Sequence, residues 1–310
     1  MKKLNFDLTI AANALLCPNP QEFYSKCYLT DTDLANFRVI PGVKTSTKVS
    51  TLNFPNVLKA ETCDFSASAS ALSATTFSVC PLQIQLEICK KTIETSYLSL
   101  EMAKGSSNWT VAGFMNTYWD ILSQEVGEEL GYIRWIGDTN GTGSTYTGDN
   151  SYRTLCDGYV TLMEDDGAVV DVAKSATTTS NVISVIGVAL QAASVCVQSE
   201  LKGLTIYAAT NVMTNYRIAA ALGNNNTYIT EQLNLTFAGV RMVEVPQLPN
   251  DNIVITRKDN LLYLLDGEGD STDLKAIDLT ETIGTPNLRT VGWMKVGFGL
   301  LNPSEIVFVH

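Results

Sequence analysis

Residues 43–65 read as a long, largely polar hairpin with little core of its own, and this constrains the fold more than any other segment. Val43-Lys44-Thr45-Ser46-Thr47-Lys48-Val49 alternates and is rich in β-branched residues, as a strand is. Asn53-Phe54-Pro55-Asn56 signals a turn, and the chain returns through Val57-Leu58-Lys59-Ala60-Glu61-Thr62. Neither strand has a fully apolar face. A lone two-stranded hairpin is marginal in water, so this one calls for a surface outside its own monomer. An ordinary edge hairpin, polar on both sides, is the plainer alternative. The Ser-Ala run at 66–75 reads as a small-residue hinge.

A strand with one wet face follows. Leu82, Ile84, Leu86 and Ile88 alternate with Gln83, Gln85 and Glu87. Asn108–Leu130 carries the clearest helical signal. Ser107 or Asn108 can cap it, and Val111, Phe114/Met115, Tyr118, Ile121/Leu122 and Val126 form one apolar stripe. Gly131 and Gly137 bracket its end. Gly158–Met163 and Val169–Ala173 read as short strands around an Asp165-Asp166-Gly167 turn. Helices are expected over Val182–Cys196, capped by Asn181, and from a cap at Asn211 to Leu222, with a buried strand at Leu204–Ala208 between them. From residue 228 the chain reads as a β-meander through Val240–Val245, Ile253–Thr256, Leu261–Leu265, Val291–Phe298 and Ile306–Val309. The amino-terminal 35 residues read as an arm split by Pro18 and Pro20, with a helix near Asn5–Leu16.

Several kinds of chemistry are missing. The one histidine, His310, is the last residue, so no internal catalytic histidine and no histidine metal cluster exists. None of the seven cysteines (17, 27, 63, 80, 89, 156 and 196) forms a Cys-x-x-Cys pair. Their odd count and wide spacing point to reduced thiols. Only 17% of residues are charged, against the usual quarter, which lowers the cost of desolvating a contact surface. The net charge is -11, and basic residues occur singly or in pairs such as Lys90-Lys91 and Arg257-Lys258, so no stripe exists to grip phosphates. No apolar run reaches the length of a membrane span, and Met1-Lys2-Lys3 is not followed by a signal-peptide core.

Two loops could carry metal or acid chemistry. Asp138, Asn140 and Thr142 sit at positions 1, 3 and 5 of a calcium-loop pattern, with Gly143 at 6 and Asp149 at 12. Position 12 is Asp rather than Glu, and a plain surface loop is the preferred reading. Asp266, Glu268, Asp270 and Asp273 concentrate carboxylates among glycines, as a solvated turn does. A carboxylate-dependent hydrolase ranks last among the functions considered. Gly141-x-Gly143 lacks the Lys-Ser/Thr of a phosphate loop, and sequons at Asn108, Asn140, Asn225 and Asn234 carry little weight in a chain rich in Asn and Thr. No cofactor is expected.

The order of segments resembles the major capsid proteins of tailed phages, the Hong Kong 97-type fold. Phe77–Cys89 looks like the strand entering that family's peripheral domain. Glu128-Glu-Leu-Gly-Tyr-Ile-Arg-Trp-Ile-Gly-Asp138 looks like the end of its spine helix, and Cys156-Asp157-Gly158-Tyr159 like the approach to its axial domain. Asp259-Asn260-Leu261 and the closing run Val296–Val307 also match its habit. The resemblance spans about residues 36–310. It implies an α+β fold with an amino-terminal arm (1–35), an extended hairpin or E-loop (36–75), a peripheral domain (76–150 and 275–310) with spine helix 108–130, and an axial α/β domain (151–274).

The resemblance also implies a function. The subunit would assemble with itself into pentamers and hexamers, closing an icosahedral head around double-stranded DNA in a virion built in the host cytoplasm. Portal, scaffold or decoration proteins would be partners, DNA would be enclosed without sequence-specific binding, and no membrane would be involved. The short arm implies a separate scaffold, or none. The residues expected at the inter-subunit hairpin are Lys44, Lys48, Phe54, Pro55 and Lys59. Some family members cross-link a hairpin lysine to an asparagine. No matching asparagine or assisting glutamate is found here, so cross-linking is not carried over. The alternatives are a β-rich secreted or surface binding module, a non-viral nanocompartment shell of the same fold, and a minor vertex protein.

Overall fold

The structure, a computed structural model, describes residues 23, 36–53, 71–89, 111–141, 151–194, 197, 198, 201, 203–222, 235–266, 274–279, 285 and 287–310. It divides into two compact units. One holds Pro81–Asp157 and Asp266–Val296, with Phe23 and Asn36. The other holds Phe37–Cys80, Gly158–Leu265 and Gly297–His310. Residues 297–310 thus fall with 158–265, and not with 76–150 as expected. The expected arm helix at Asn5–Leu16 lies outside the described residues.

The first unit is built on helix α1 (Val111–Ile136) and three strands. These are β4 (Cys80–Cys89), β11 (Lys275–Asp278) and β12 (Asn287–Leu300), whose residues 287–296 belong here. β11 runs antiparallel to β12, and β4 also pairs with β12. The expected stripe on α1 is buried at Tyr118, Leu122 and Val126, but Ile121 is 61% exposed. The helix does not stop at Leu130. It runs through Gly131, because Leu130, Ile133 and Trp135 continue the buried face, and it stops beside Gly137. Packing thus outweighs the cost of roughly 1 kcal/mol for a mid-helix glycine. The buried Tyr118 hydroxyl hydrogen-bonds the buried Thr290 hydroxyl of β12. On β4, Leu82 and Ile84 are buried and Gln83, Gln85 and Glu87 exposed, as their alternation predicts, though Leu86 is also exposed.

The second unit centres on a six-stranded sheet of β5 (Val170–Val172), β6 (Leu204–Ala209), β7 (Thr236–Phe237), β8 (Val240–Val245), β9 (Ile253–Arg257) and β13 (Val307–Val309). Their order is β5-β13-β9-β6-β8-β7. The later strands occur nearly where the apolar runs place them, but they are not a meander. β6 runs parallel to β8 and antiparallel to β9, and β13 runs parallel to β5 and antiparallel to β9. A further strand, β10 (Leu261–Leu265), leaves this sheet and pairs in parallel with β1 (Arg38–Ile40). Both faces of β6 and most of β9 are buried, so these strands read as apolar runs rather than alternations.

The unit's helices include α2 (Tyr159–Asp165), α3 (Val182–Ala192) and α4 (Thr210–Leu222). The α2 segment was expected as a strand. Tyr159, Val160 and Met163 are its buried residues, one helical face that β-branched composition disguises. The Asp165-Asp166-Gly167 turn therefore joins a helix to β5. Val182, Ile186 and Ala189 bury one side of α3, which ends four residues before Cys196. Asn181 stands at its N-cap position, as expected, but its side chain makes no capping bond to the helix. Its side chain accepts from the Thr178 amide at 2.7 Å and donates to the Ala176 carbonyl at 2.9 Å. Asn211 lies inside α4, and its side chain bonds Asp251.

An aromatic cluster fills the interior of this unit. Phe37 stacks on Tyr159 and Tyr207, with ring centroids 5.4 and 6.1 Å apart, and Phe298 contacts Tyr159 and Tyr263. The Tyr159 hydroxyl donates to the Leu262 carbonyl at 2.9 Å, so its polar end is satisfied where water is excluded.

The cysteine expectation needs correction. Cys80 and Cys156 are disulfide-bonded and Cys89 is free. Wide sequence spacing says nothing about which thiols folding brings together.

Candidate assembly surface

The hairpin exists, but its second strand is not the expected one. β2 (Ser46–Asn53) pairs antiparallel with β3 (Ala71–Ser78), from Ser46 opposite Ser78 to Asn53 opposite Ala71. Part of the expected small-residue hinge is therefore strand. The return at 57–62, with Phe54, Pro55 and Lys59, lies outside the described residues. Small and hydroxyl residues make up most of β3, with Leu72 and Phe77 as its large apolar residues.

β2 and β3 form a separate two-stranded sheet. Lys44, Lys48 and Ser50 on one side and Ala74, Thr75 and Thr76 on the other are exposed. Lys48 faces Thr76 across the ladder. Among the described residues neither Lys44 nor Lys48 meets an acidic partner.

The root of the hairpin is anchored. Val43, Phe77, Leu262 and Leu264 form a buried cluster, with Ile40, Val49, Val79 and Leu301 packed against it. The Val43 amide donates to the Leu265 carbonyl and the Val79 amide to the Thr45 carbonyl, each at 3.0 Å. Gly297 and Gly299 of β12 make room for it. A Cβ on Gly299 would lie 2.4 Å from the Phe77 ring, and one on Gly297 would lie 2.5 Å from the Ser78 carbonyl oxygen. Sequence reading missed this seat. Its signal was the Gly-x-Gly spacing, which puts two bare positions on one strand face.

Among the described residues the other candidates do not gather into a site. The Asp138 carboxylate accepts the Asn140 amide at 2.8 Å, and the Thr139 amide and hydroxyl both donate to Asp157 at 2.7 Å, so this loop is tied by its own side chains. Thr142 and Asp149 lie outside the described residues. Among those described, no group of three or more His, Cys, Asp and Glu could hold a metal. Asp266 accepts Lys295 Nζ at 3.0 Å, an ion pair that ties its carboxylate to β12. Glu268, Asp270 and Asp273 are outside the described residues. No helix among those described is long and apolar enough to cross a membrane.

No family model and no curated protein matches the sequence. Solved structures do. A chain of the satellite phage P4 procapsid that includes the size determination protein superposes with a TM-score of 0.58 at 11% identity, over 94% of this chain and 98% of that one. Mycobacterium phage Ogopogo gives 0.59 at 12% identity, over 90% and 91%. The virus-like particle from Pyrococcus furiosus gives 0.53 at 8% identity, over 93% and 96%. The chain has the α+β Hong Kong 97-type fold of capsid proteins. At these identities the likeness is one of fold.

Proposed function

We propose that the protein is the major shell subunit of a tailed-phage-type capsid, assembling through pentamers and hexamers around double-stranded DNA. The observation that carries this is the hairpin. It is anchored at its root, exposed on both faces beyond it, and set in a fold shared along nearly the whole chain with particle-forming proteins. An exposed hairpin without its own core gains stability by lying on another molecule, and interfaces repeated around a ring bury large areas. In this reading Pro81–Asp157 with Asp266–Val296 is the peripheral domain, Gly158–Leu265 with residues 297–310 is the axial domain, and Lys44, Lys48, Phe54, Pro55 and Lys59 belong to the inter-subunit hairpin. The net charge of -11 suits enclosure of nucleic acid better than binding along its backbone. Sedimentation velocity over a wide range of concentration and salt tests the reading. It expects capsomer-sized or larger species, and a monomer under every condition would overturn it.

One observation favours a second reading, an exported β-rich binding module. Cys80 and Cys156 are disulfide-bonded, and disulfides persist mainly in oxidising compartments. That reading predicts a monomer.

A further inference from the structure

We infer that the exposed sheet face of the first unit, centred on Trp293, is a binding site for an acidic polysaccharide. The inference goes beyond the shell reading and does not depend on it.

Trp293 is the one exposed aromatic side chain among the described residues, with 47% of its surface open. The strand explains why. On β12, Leu288, Thr290, Gly292 and Met294 are buried, and Thr290 meets Tyr118 of α1. Arg289, Val291, Trp293 and Lys295 therefore share the face that points away from the helix. Tryptophan is mostly buried in proteins, so an indole standing in water on a sheet is a feature to explain.

Its neighbours follow from the strand register. Glu87 bonds Arg289, and the Val79 backbone, just ahead of β4, lies against Gly297. The two contacts are eight residues apart on both strands. β4 thus runs antiparallel to β12, with Gln83 opposite Trp293 and Gln85 opposite Val291. On the other side, Lys275 of β11 stands opposite Val291. Gln83, Gln85 and Lys275 are exposed and Lys295 is half-buried. Neighbouring strands lie about 4.8 Å apart, and diagonal neighbours stay within reach of long side chains. The indole is therefore bordered by two amides and two lysines.

Each group matches one part of an acidic sugar. The C–H face of a sugar ring is apolar and can lie flat on an indole. Ring hydroxyls both donate and accept, as the glutamine amides do. A uronate carboxylate pairs with a lysine ammonium. Charge decides between occupants. Lys295 already meets Asp266 at 3.0 Å and Arg289 meets Glu87 at 2.7 Å, so the face carries only a small excess of positive charge. Duplex DNA presents a charge about every 1.7 Å and needs a continuous basic track. An acidic polysaccharide, with no more than one carboxylate on each sugar, does not. A protein partner would need an apolar centre, whereas Trp293 is bordered mainly by amides and cations.

The test is isothermal titration of the full chain with a short oligogalacturonate, beside oligodextran as the neutral sugar and oligothymidylate as the nucleic acid. The acidic sugar should bind tightest. W293A should weaken it by about tenfold or more, and W293F should keep part of the affinity. Q83A/Q85A should weaken both sugars. K275Q should weaken only the acidic one and flatten its salt dependence. These positions are exposed, and unchanged circular dichroism checks that each variant folds. Absence of binding to oligogalacturonate would overturn the inference, as would W293A binding like wild type. Tighter binding of oligothymidylate would assign the face to nucleic acid instead, and equal binding of oligodextran would remove the acidic preference. Either result overturns the inference as stated and leaves the shell reading untouched.

Discussion

The Phe77 ring lies where a Cβ of residue 299 would stand: any side chain at Gly299 would meet that ring at 2.4 Å. The hairpin is thus seated by an absence of atoms on β12. Gly299→Ala is expected to cost about 1–3 kcal/mol through overpacking, read as a lower thermal midpoint. Pairing it with Phe77→Leu should return part of the loss. Equal melting of Gly299→Ala and wild type would contradict this seat.

Tyr118 and Thr290 hold α1 to β12 through buried hydroxyls. Burial pushes the Tyr118 hydroxyl above its ordinary pKa, only partly offset by the bond to Thr290. Tyr118→Phe leaves the Thr290 hydroxyl without this partner, at a cost of about 1–3 kcal/mol, measured by denaturant midpoint. An unchanged midpoint would remove this bond from the account.

Asp251 ties three segments together. It adopts a left-handed backbone conformation, φ 69°. Its carboxylate accepts from the Thr177 amide at 2.9 Å, from the Thr177 hydroxyl, and from Asn211 Nδ2 at 2.7 Å. Burial pushes this carboxyl up, but these bonds and the Lys174 charge together hold it below its ordinary value of 3.8. The group binds its proton more weakly when folded. It therefore adds stability above the ordinary carboxyl pKa, and that stability is lost as pH falls through the depressed folded value. Urea midpoints followed downward from neutral pH should fall less steeply at the acid end in Asp251→Asn than in wild type. Identical acid limbs would refute the role.

The cysteines divide by reactivity. Iodoacetamide applied to the native protein should label Cys89, while Cys80 and Cys156 should label only after reduction. Peptide mass spectrometry reads this directly, and native labelling of Cys80 or Cys156 would contradict their bonding.

Legibility followed how each segment is buried. β4 and α1 were readable because one face is wet and the other dry, so the period shows. β9, β10 and β13 were readable as apolar runs, and β8 as a run broken by Arg241 and Glu244, but their partners were not. An apolar run records burial on both sides and carries no mark of its neighbour, so the parallel pairing of β6 with β8 could not be told from a meander. α2 was misread because Tyr159 and Val160 favour strands in composition while packing as a helical face. β3 escaped because its Ala, Ser and Thr residues, with only Leu72 and Phe77 large and apolar, give no regular side-chain period. The hairpin's polarity was plain from Lys44, Ser46 and Lys48, whereas its seat depends on Gly297 and Gly299, more than 200 residues away.

The central claim is that the chain builds a shell. Negative-stain electron microscopy of the purified wild-type protein tests it most directly. The account predicts closed particles of uniform diameter, or rings of five and six subunits. A field of dispersed monomers at every concentration and salt would contradict it.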